Sequence, residues 1–447
     1  MEIVVIGGNA AGMSTASQVK RQKPDWNVTV LEKGSYISYA ACGIPYFVQG
    51  LVPGLENLIT VTPREAVEKR KIALKLGHEV LSIDPGKQAV QVRNSDRTYS
   101  KSFDRLLIST GARPSKNGVE YDISSRVFTV TSLEDGKRLL DFIKQENPSD
   151  CAVIGGGYIA VEMVEAFKEI GLTTHLIHRR DSLSLSFEKE ISDLVLDEME
   201  KEGVVRHLNE PVRRVEKSGN RVKVYTENNS LAFDLVVVAT GMEPNSDLAV
   251  QCGIQTGVKE AIRVNDYMQT SLPVIYSAGD CTATKNLITG KEIFSPLALK
   301  ANKEGVTAGI NISGGTDIFP GTLGSAVTKF CKLGIARTGL TLGEAIDNDI
   351  DAIKFTVTAG SKAHYYPGHG PLTTVLVAEK KGGRLLGAQM AGPVDSVKRI
   401  DVYAVAITGQ MTVKQLYELD LAYAPPFSPV YDPVILAGRV GRKKFES

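Results

Sequence analysis

The chain has no two cysteines close enough in sequence to act as a pair. Of its five, Cys42, Cys151, Cys252, Cys281 and Cys331, none forms C-x-x-C, they lie far apart, and the number is odd. A disulfide framework and a zinc site are both unsupported, and a reducing cytoplasm is the expected compartment. The six histidines show no H-x-x-x-H spacing, so no metal is predicted. No apolar run is long enough to span a bilayer. The N-terminus runs straight into a strand, without the basic and apolar segments of a secretory leader. Net charge is only +1, which offers no bulk attraction to nucleic acid or a membrane surface.

What is present reads as a globular chain, 43% hydrophobic and 23% charged. Its 447 residues are too many for one ordinary core, so two or three domains are expected. Ile3 to Ile6 is a continuous apolar run, as in a strand buried on both faces. It enters Gly7-Gly8-Asn9-Ala10-Ala11-Gly12, then a helix from about Met13 to Arg21 and a strand over Val28 to Leu31 that ends at Glu32. That is the dinucleotide fingerprint: glycines for a tight turn, a helix N-terminus facing pyrophosphate, and an acid for ribose hydroxyls. Asn9 stands where the middle glycine is usual.

A second fingerprint follows at Cys151 to Glu162, with Gly155, Gly157 and Ala160 at the three positions. Its following strand ends in His178-Arg179-Arg180 rather than an acid, which favours a ribose 2′-phosphate, hence NADPH or dual use. Two strands end in Thr-Gly-x-x-Pro, at Thr110-Gly111 and Thr240-Gly241, an internal echo of two related domains. Two dinucleotide sites imply two cofactors, a held flavin and an exchangeable nicotinamide. Thr270 to Asp280 reads as a strand ending in Gly-Asp, with Asp280 able to accept from ribityl hydroxyls. A helix starting near Leu297–Lys300 turns its positive end toward reduced flavin. From about Pro320 the pattern changes to alternating strands, such as Ala326–Phe330, Ala352–Val357 and Thr374–Ala378, with helical segments near 396–409 and 412–418. Residues 63–71 read as a helix whose basic end, Lys69-Arg70-Lys71, is solvated.

Cys42 sits among small residues in Ser38-Tyr39-Ala40-Ala41-Cys42-Gly43-Ile44-Pro45-Tyr46. The residues alone leave open a packed small side chain or a nucleophile. This loop resembles that of the flavin-dependent pyridine nucleotide-disulfide oxidoreductases. So do both fingerprints, Ala278-Gly279-Asp280, Tyr365-Tyr366-Pro367-Gly368 and Ala422-Tyr423-Ala424-Pro425-Pro426. Within that family the chain most resembles the single-cysteine branch, the coenzyme A-disulfide reductases. The position five after Cys42 is Phe47, so the C-x-x-x-x-C dithiol of other members is absent.

The resemblance implies an α/β fold of two Rossmann-like domains, for FAD and NAD(P), plus a C-terminal α+β dimerisation domain. The expected limits are 1–112 and 246–322 for the FAD domain in two parts, 113–245 for the NAD(P)H domain, and 323–447 for the last. It implies a homodimer acting on coenzyme A disulfide or persulfide, with no nucleic-acid or membrane partner. Cys42 forms a mixed disulfide with coenzyme A, and Tyr365 and Tyr423 reach the other subunit's site. Cofactor positions are Gly7, Gly8, Asn9, Ala10, Ala11, Gly12, Glu32, Lys33, Thr110, Gly111, Asp280 and Ala298 for FAD. For NAD(P)H they are Gly155, Gly157, Tyr158 (a movable cover), Ile159, Glu162, His178, Arg179, Arg180 and Gly241. Ser14, Gln18, Arg21, Ser38 and Lys71 match the coenzyme A channel. Flavin and the Leu297–Lys300 helix are expected to lower the Cys42 pKa. Relatives that reduce oxygen through a sulfenic acid usually carry a histidine in the first glycine turn, where this chain has Ala10 or Ala11. An NAD(P)H oxidase is the enzyme alternative, and a flavoprotein electron carrier or redox sensor the non-enzymatic one. A rhodanese-like extension is not expected, because the sequence stops at Ser447.

Overall fold

A computed structural model of the chain describes residues 1–183 and 186–445; the C-terminal limit at Ser447 lies outside the described residues. The first sheet is parallel, in the order Ile275–Ser277, Arg105–Ile108, Glu2–Ile6, Asn27–Glu32, Ala73–Leu76. The run Ile3-Val4-Val5-Ile6 is buried on both faces because each face has a cover. Ile3 and Val5 pack with helices Ala10–Gln22 and Ala298–Ile312. Val4 and Ile6 pack under a three-stranded meander through Val80, Val90 and Val92. Each fully buried aliphatic side chain contributes about 1.5–3 kcal/mol.

The second sheet repeats this plan, in the order Val127–Phe128, Leu235–Val238, Asp150–Ile154, Thr173–Ile177, Val205–His207. The repetition extends to single hydrogen bonds. The Gly7 N–H donates to Leu31 O at 2.9 Å and the Gly155 N–H to Ile177 O at 3.0 Å. A Cβ on Gly7 would lie 2.2 Å from Ser109 O, and one on Gly155 2.2 Å from Ala239 O. With φ of +142° at Gly155, Gly155→Ala is expected to cost about 1–3 kcal/mol in backbone strain, with the carbonyl clash added to it. Thermal unfolding with and without NADPH reads the loss; an unchanged midpoint would contradict it.

The two Thr-Gly-x-x-Pro segments pair with each other. Ala112–Pro114 and Met242–Pro244 form an antiparallel ribbon, with Glu243 opposite Arg113 and their side chains paired at 2.7 Å. The echo in the sequence therefore marks the two chain crossings between the sheets.

The third sheet is antiparallel, in the order Ala326–Phe330, Leu333–Gly339, Leu385–Pro393, Pro371–Glu379, Ala352–Gly360. Helices Ile400–Thr408, Val413–Tyr417 and Pro433–Arg442 accompany it. It docks on the second unit through Thr328 Oγ1, which donates to Glu162 (2.8 Å), and Lys354, which pairs with Glu188 (2.8 Å).

Two sequence expectations are revised. Only Ile275–Ser277 of the stretch 270–280 is strand, because Pro273 lacks an N–H and Ile275 N–H closes a turn onto Leu272 O (2.9 Å). The stretch from Pro63 closes in a wide π-helical turn, Glu65–Lys69. Among the described residues no helix is long and apolar enough to cross a membrane.

Candidate functional site

The Cys42 loop is tied to the first fingerprint turn. Asn9 does not cap its own helix. Its Oδ1 instead accepts from the Tyr39 N–H (3.0 Å), while the Ser38 N–H donates to Gly8 O (2.9 Å). Ser38 takes a left-handed φ of +46°, which turns the chain toward Cys42. Asn in place of the middle glycine is thus a tether between the two motifs. Cys42 follows in the single turn Ala41–Gly43 and is exposed. Phe47 is buried in the core, and Cys151 and Cys281 are buried too.

The expectation of a lowered thiol pKa is not met by the protein's own groups. Although Cys42 is exposed, the surrounding protein withdraws enough water that desolvation pushes its pKa up, and the carboxylates of Glu162 and Asp280 add to the rise. A backbone hydrogen bond at Cys42 opposes the rise without cancelling it. Alkylation of Cys42 by iodoacetamide in the purified protein is therefore expected to rise with pH to a midpoint above the ordinary thiol value. Glu162→Gln removes one negative neighbour and is expected to lower that midpoint; no movement would contradict the assignment.

Glu32 ends its strand as read, its carboxylate accepting from the N–H groups of Gly8 and Gly34, each at 2.7 Å. Beside it a cavity of about 640 Å³ is lined by Glu32, Lys33, Tyr36, Tyr39, Ser132 and Glu134. Farther along the sheet edge, Thr110 Oγ1 donates to Asn245 O (2.5 Å) and Gly111 has φ +69°. Asp280 Oδ1 is buried and has no partner among the described residues, which fits a ligand hydroxyl. The helix Ala298–Ile312 begins without a side-chain cap or an acid in its first turn. Ala11, on the first helix, packs so closely that a Cβ on Gly305 would lie 2.4 Å from Ala11 O. Gly12 is equally constrained, a Cβ there falling 1.9 Å from Gly7 O. Glycine turn, cavity, orphaned Asp280 and open helix end together fit FAD.

In the second unit a Cβ on Gly157 would meet nothing within 4 Å, leaving room at the helix start. Ile159 and Glu162 follow Tyr158 on the helix Tyr158–Glu169. Gly241 turns with φ +122°. The Tyr158 hydroxyl is buried and unpartnered among the described residues, and its ring meets Phe187 edge-on at 5.4 Å. His178 backs onto Gly156, and its pKa is pushed down to about 4 by burial and by Arg179 and Arg180. It is neutral at pH 7. Neither Arg179 nor Arg180 has an ion pair among the described residues, while thirteen other described arginines do.

Ser14, Gln18 and Arg21 share the first helix; Ser14 donates to Asn302 (2.9 Å) and Arg21 to Gln18 (2.5 Å). Lys71, exposed with φ +55°, is brought to that helix by its neighbour: Arg70 reaches Ser17 (2.9 Å) and pairs with Glu65 (2.8 Å). Arg70 is thus a bridge rather than a solvated helix end. Tyr365 and Tyr423 are exposed, at 66% and 48%, and their loops are joined by the Ala363 N–H to Pro425 O (3.3 Å).

The chain is 40% identical over 439 residues to a Pyrococcus abyssi protein named NAD(P)H sulfur oxidoreductase (CoA-dependent), covering 98% of this chain and 97% of that one. It is 31% identical over 440 residues to the coenzyme A disulfide reductase of Staphylococcus aureus, covering 98% and 99%. Its fold matches a NAD-dependent persulfide reductase from A. fulgidus with a TM-score of 0.95 and 36% identity, over 99% of this chain and 83% of that one. With residues 1–305 matching the pyridine nucleotide-disulphide oxidoreductase family and residues 325–433 its dimerisation domain, the chain belongs to that family.

Proposed function

We propose that this flavin- and NAD(P)H-dependent enzyme reduces coenzyme A disulfide, or the corresponding persulfide, through the single sulfur of Cys42. The observation that carries the reading is Cys42 itself: exposed, tethered to the FAD turn by Asn9, and with buried Phe47 where a partner thiol would stand. The Cys42 thiolate attacks one sulfur of the substrate; the substrate S–S bond breaks, one coenzyme A thiolate leaves, and Cys42–S–S–CoA forms. Two electrons and one proton then release the second coenzyme A as thiol and restore the thiolate. Bound FAD supplies the relay of those electrons from the nicotinamide.

The chain's other residues bind, orient and move protons. Gly7 to Gly12, Glu32, Lys33, Thr110, Gly111, Asp280 and Ala298 hold FAD. Gly155, Gly157, Ile159, Glu162 and Gly241 hold the nicotinamide nucleotide, with neutral His178 beside the turn. Tyr158 covers its approach, and Arg179 and Arg180 take a 2′-phosphate. Ser14, Gln18, Arg21, Ser38 and Lys71 line the coenzyme A channel. Two copies associate through the dimerisation domain, and Tyr365 or Tyr423 of one donates a proton to the thiolate leaving Cys42 of the other. The domain limits are 1–112 with 246–322, 113–245, and 323–447, supported by the residues each sheet draws on. Five separate thiols suit a reducing cytoplasm.

Stopped-flow reoxidation of the reduced enzyme tests the reading. Coenzyme A disulfide is expected to reoxidise it faster than air does. Fast air oxidation with no disulfide turnover would make it an oxidase instead.

A further inference from the structure

Helix Ala298–Ile312 carries Lys300 and Glu304 at i and i+4, a spacing that on most helices gives a solvated pair. Here both are buried, their side chains 1% and 0% exposed, with 3.3 Å between ammonium and carboxylate. The Lys300 ammonium donates to Gly279 O (2.9 Å), Thr282 O (3.3 Å) and Thr282 Oγ1 (3.0 Å). Glu304 Oε2 accepts from the Gly279 N–H at 2.9 Å, and Thr282 Oγ1 stands 2.9 Å from the same oxygen. The two charges therefore grip both the N–H and the C=O side of one turn. Asp280 lies inside that turn, with its buried Oδ1 unpartnered among the described residues.

Burying an ammonium and a carboxylate is costly, and a well-packed apolar pair of similar volume would hold the helix at least as well. Helix packing already has its own basis, in Thr15 Oγ1 donating to Gly305 O (2.7 Å) and the close approach of Ala11 to Gly305. An apolar pair could not grip backbone polar groups on either side of Asp280. Burial also pushes the Asp280 carboxyl up, and the Lys300 ammonium opposes that rise.

We propose that Lys300 and Glu304 are positioning residues that clamp the Gly279–Thr282 turn and aim Asp280 at bound FAD. The proposal rests on the reading of Asp280 as an FAD contact. The test follows FAD release from the holoprotein, as rising flavin fluorescence after dilution, in K300M/E304L, D280N and the triple variant. Changing both partners together avoids leaving a lone buried charge. The pair variant is expected to release FAD about 10- to 100-fold faster, the factor for a lost hydrogen bond to a charged group. The triple variant is expected to release it no faster than D280N, because the pair acts through Asp280. K300Q/E304Q, which keeps shape and polarity but lacks the ammonium donors, is expected to give a smaller acceleration and serves if the apolar pair does not fold. Release at the wild-type rate from both pair variants, or effects that multiply with D280N, would overturn the clamp. Wild-type release from D280N itself would defeat the Asp280 contact and the clamp with it.

Discussion

Cys42→Ser is expected to abolish reduction of coenzyme A disulfide, by roughly 10⁴-fold or more, the scale at which loss of a covalent nucleophile reads in other enzymes. The protein should keep its FAD, because Cys42 contributes neither to the fingerprint turn nor to the core; it is exposed in a single helical turn. NAD(P)H-driven reduction of a small artificial acceptor should survive, since that path needs no sulfur. The other four thiols are buried or half-buried, and burial pushes the pKa of each of them up. Cys151 and Cys281 are buried, and desolvation holds the Cys151 thiol up at about 12. Retained disulfide turnover in the serine variant would remove Cys42 from the mechanism. Loss of acceptor reduction as well would instead indicate a damaged flavin site.

Replacing both Arg179 and Arg180 with alanine is expected to reduce kcat/KM for NADPH by about 10²–10⁴-fold and leave that for NADH within a few-fold. Two hydrogen bonds to a charged phosphate, at about 1.5–3 kcal/mol each, give that range. Neutral His178 carries no charge that could replace them. Steady-state rates with the two nucleotides measure the split. Equal losses for both would mean that the arginines shape the fold rather than read the phosphate.

Both dinucleotide units were legible because their evidence is local. Ile3–Ile6 and Cys151–Ile154 are short apolar runs flanked by glycines, and each run is covered on both faces. The strand Leu385–Pro393 escaped notice for the opposite reason. It is buried almost throughout, yet its sequence is Leu-Leu-Gly-Ala-Gln-Met-Ala-Gly-Pro, with small residues instead of alternation. Gly387 explains one of them: a Cβ there would fall 1.8 Å from Leu340 O. The helix Pro433–Arg442 did carry a signal, Asp432 before Pro433, and Asp432 indeed caps the Val434 N–H at 2.8 Å. At the site, residue identity singled out Cys42 and Asp280 but not the residues that support them. Asn9 reads as a defective fingerprint until its bond to Tyr39 is seen. Lys300 and Glu304 have the i, i+4 spacing of an ordinary surface pair, and only the turn Gly279–Thr282 folded against them shows that they are buried. The rise in the Cys42 pKa comes first from desolvation by the packed protein around it, then from Glu162, which lies 120 residues away in sequence, and Asp280 beyond it, none of which the local sequence displays.

The most direct test of a single-sulfur mechanism is peptide-level mass spectrometry of the protein treated with coenzyme A disulfide and kept free of reductant. One coenzyme A is expected on the peptide carrying Cys42, discharged when NAD(P)H is added. No adduct at Cys42, or an adduct that NAD(P)H leaves in place, would contradict the account.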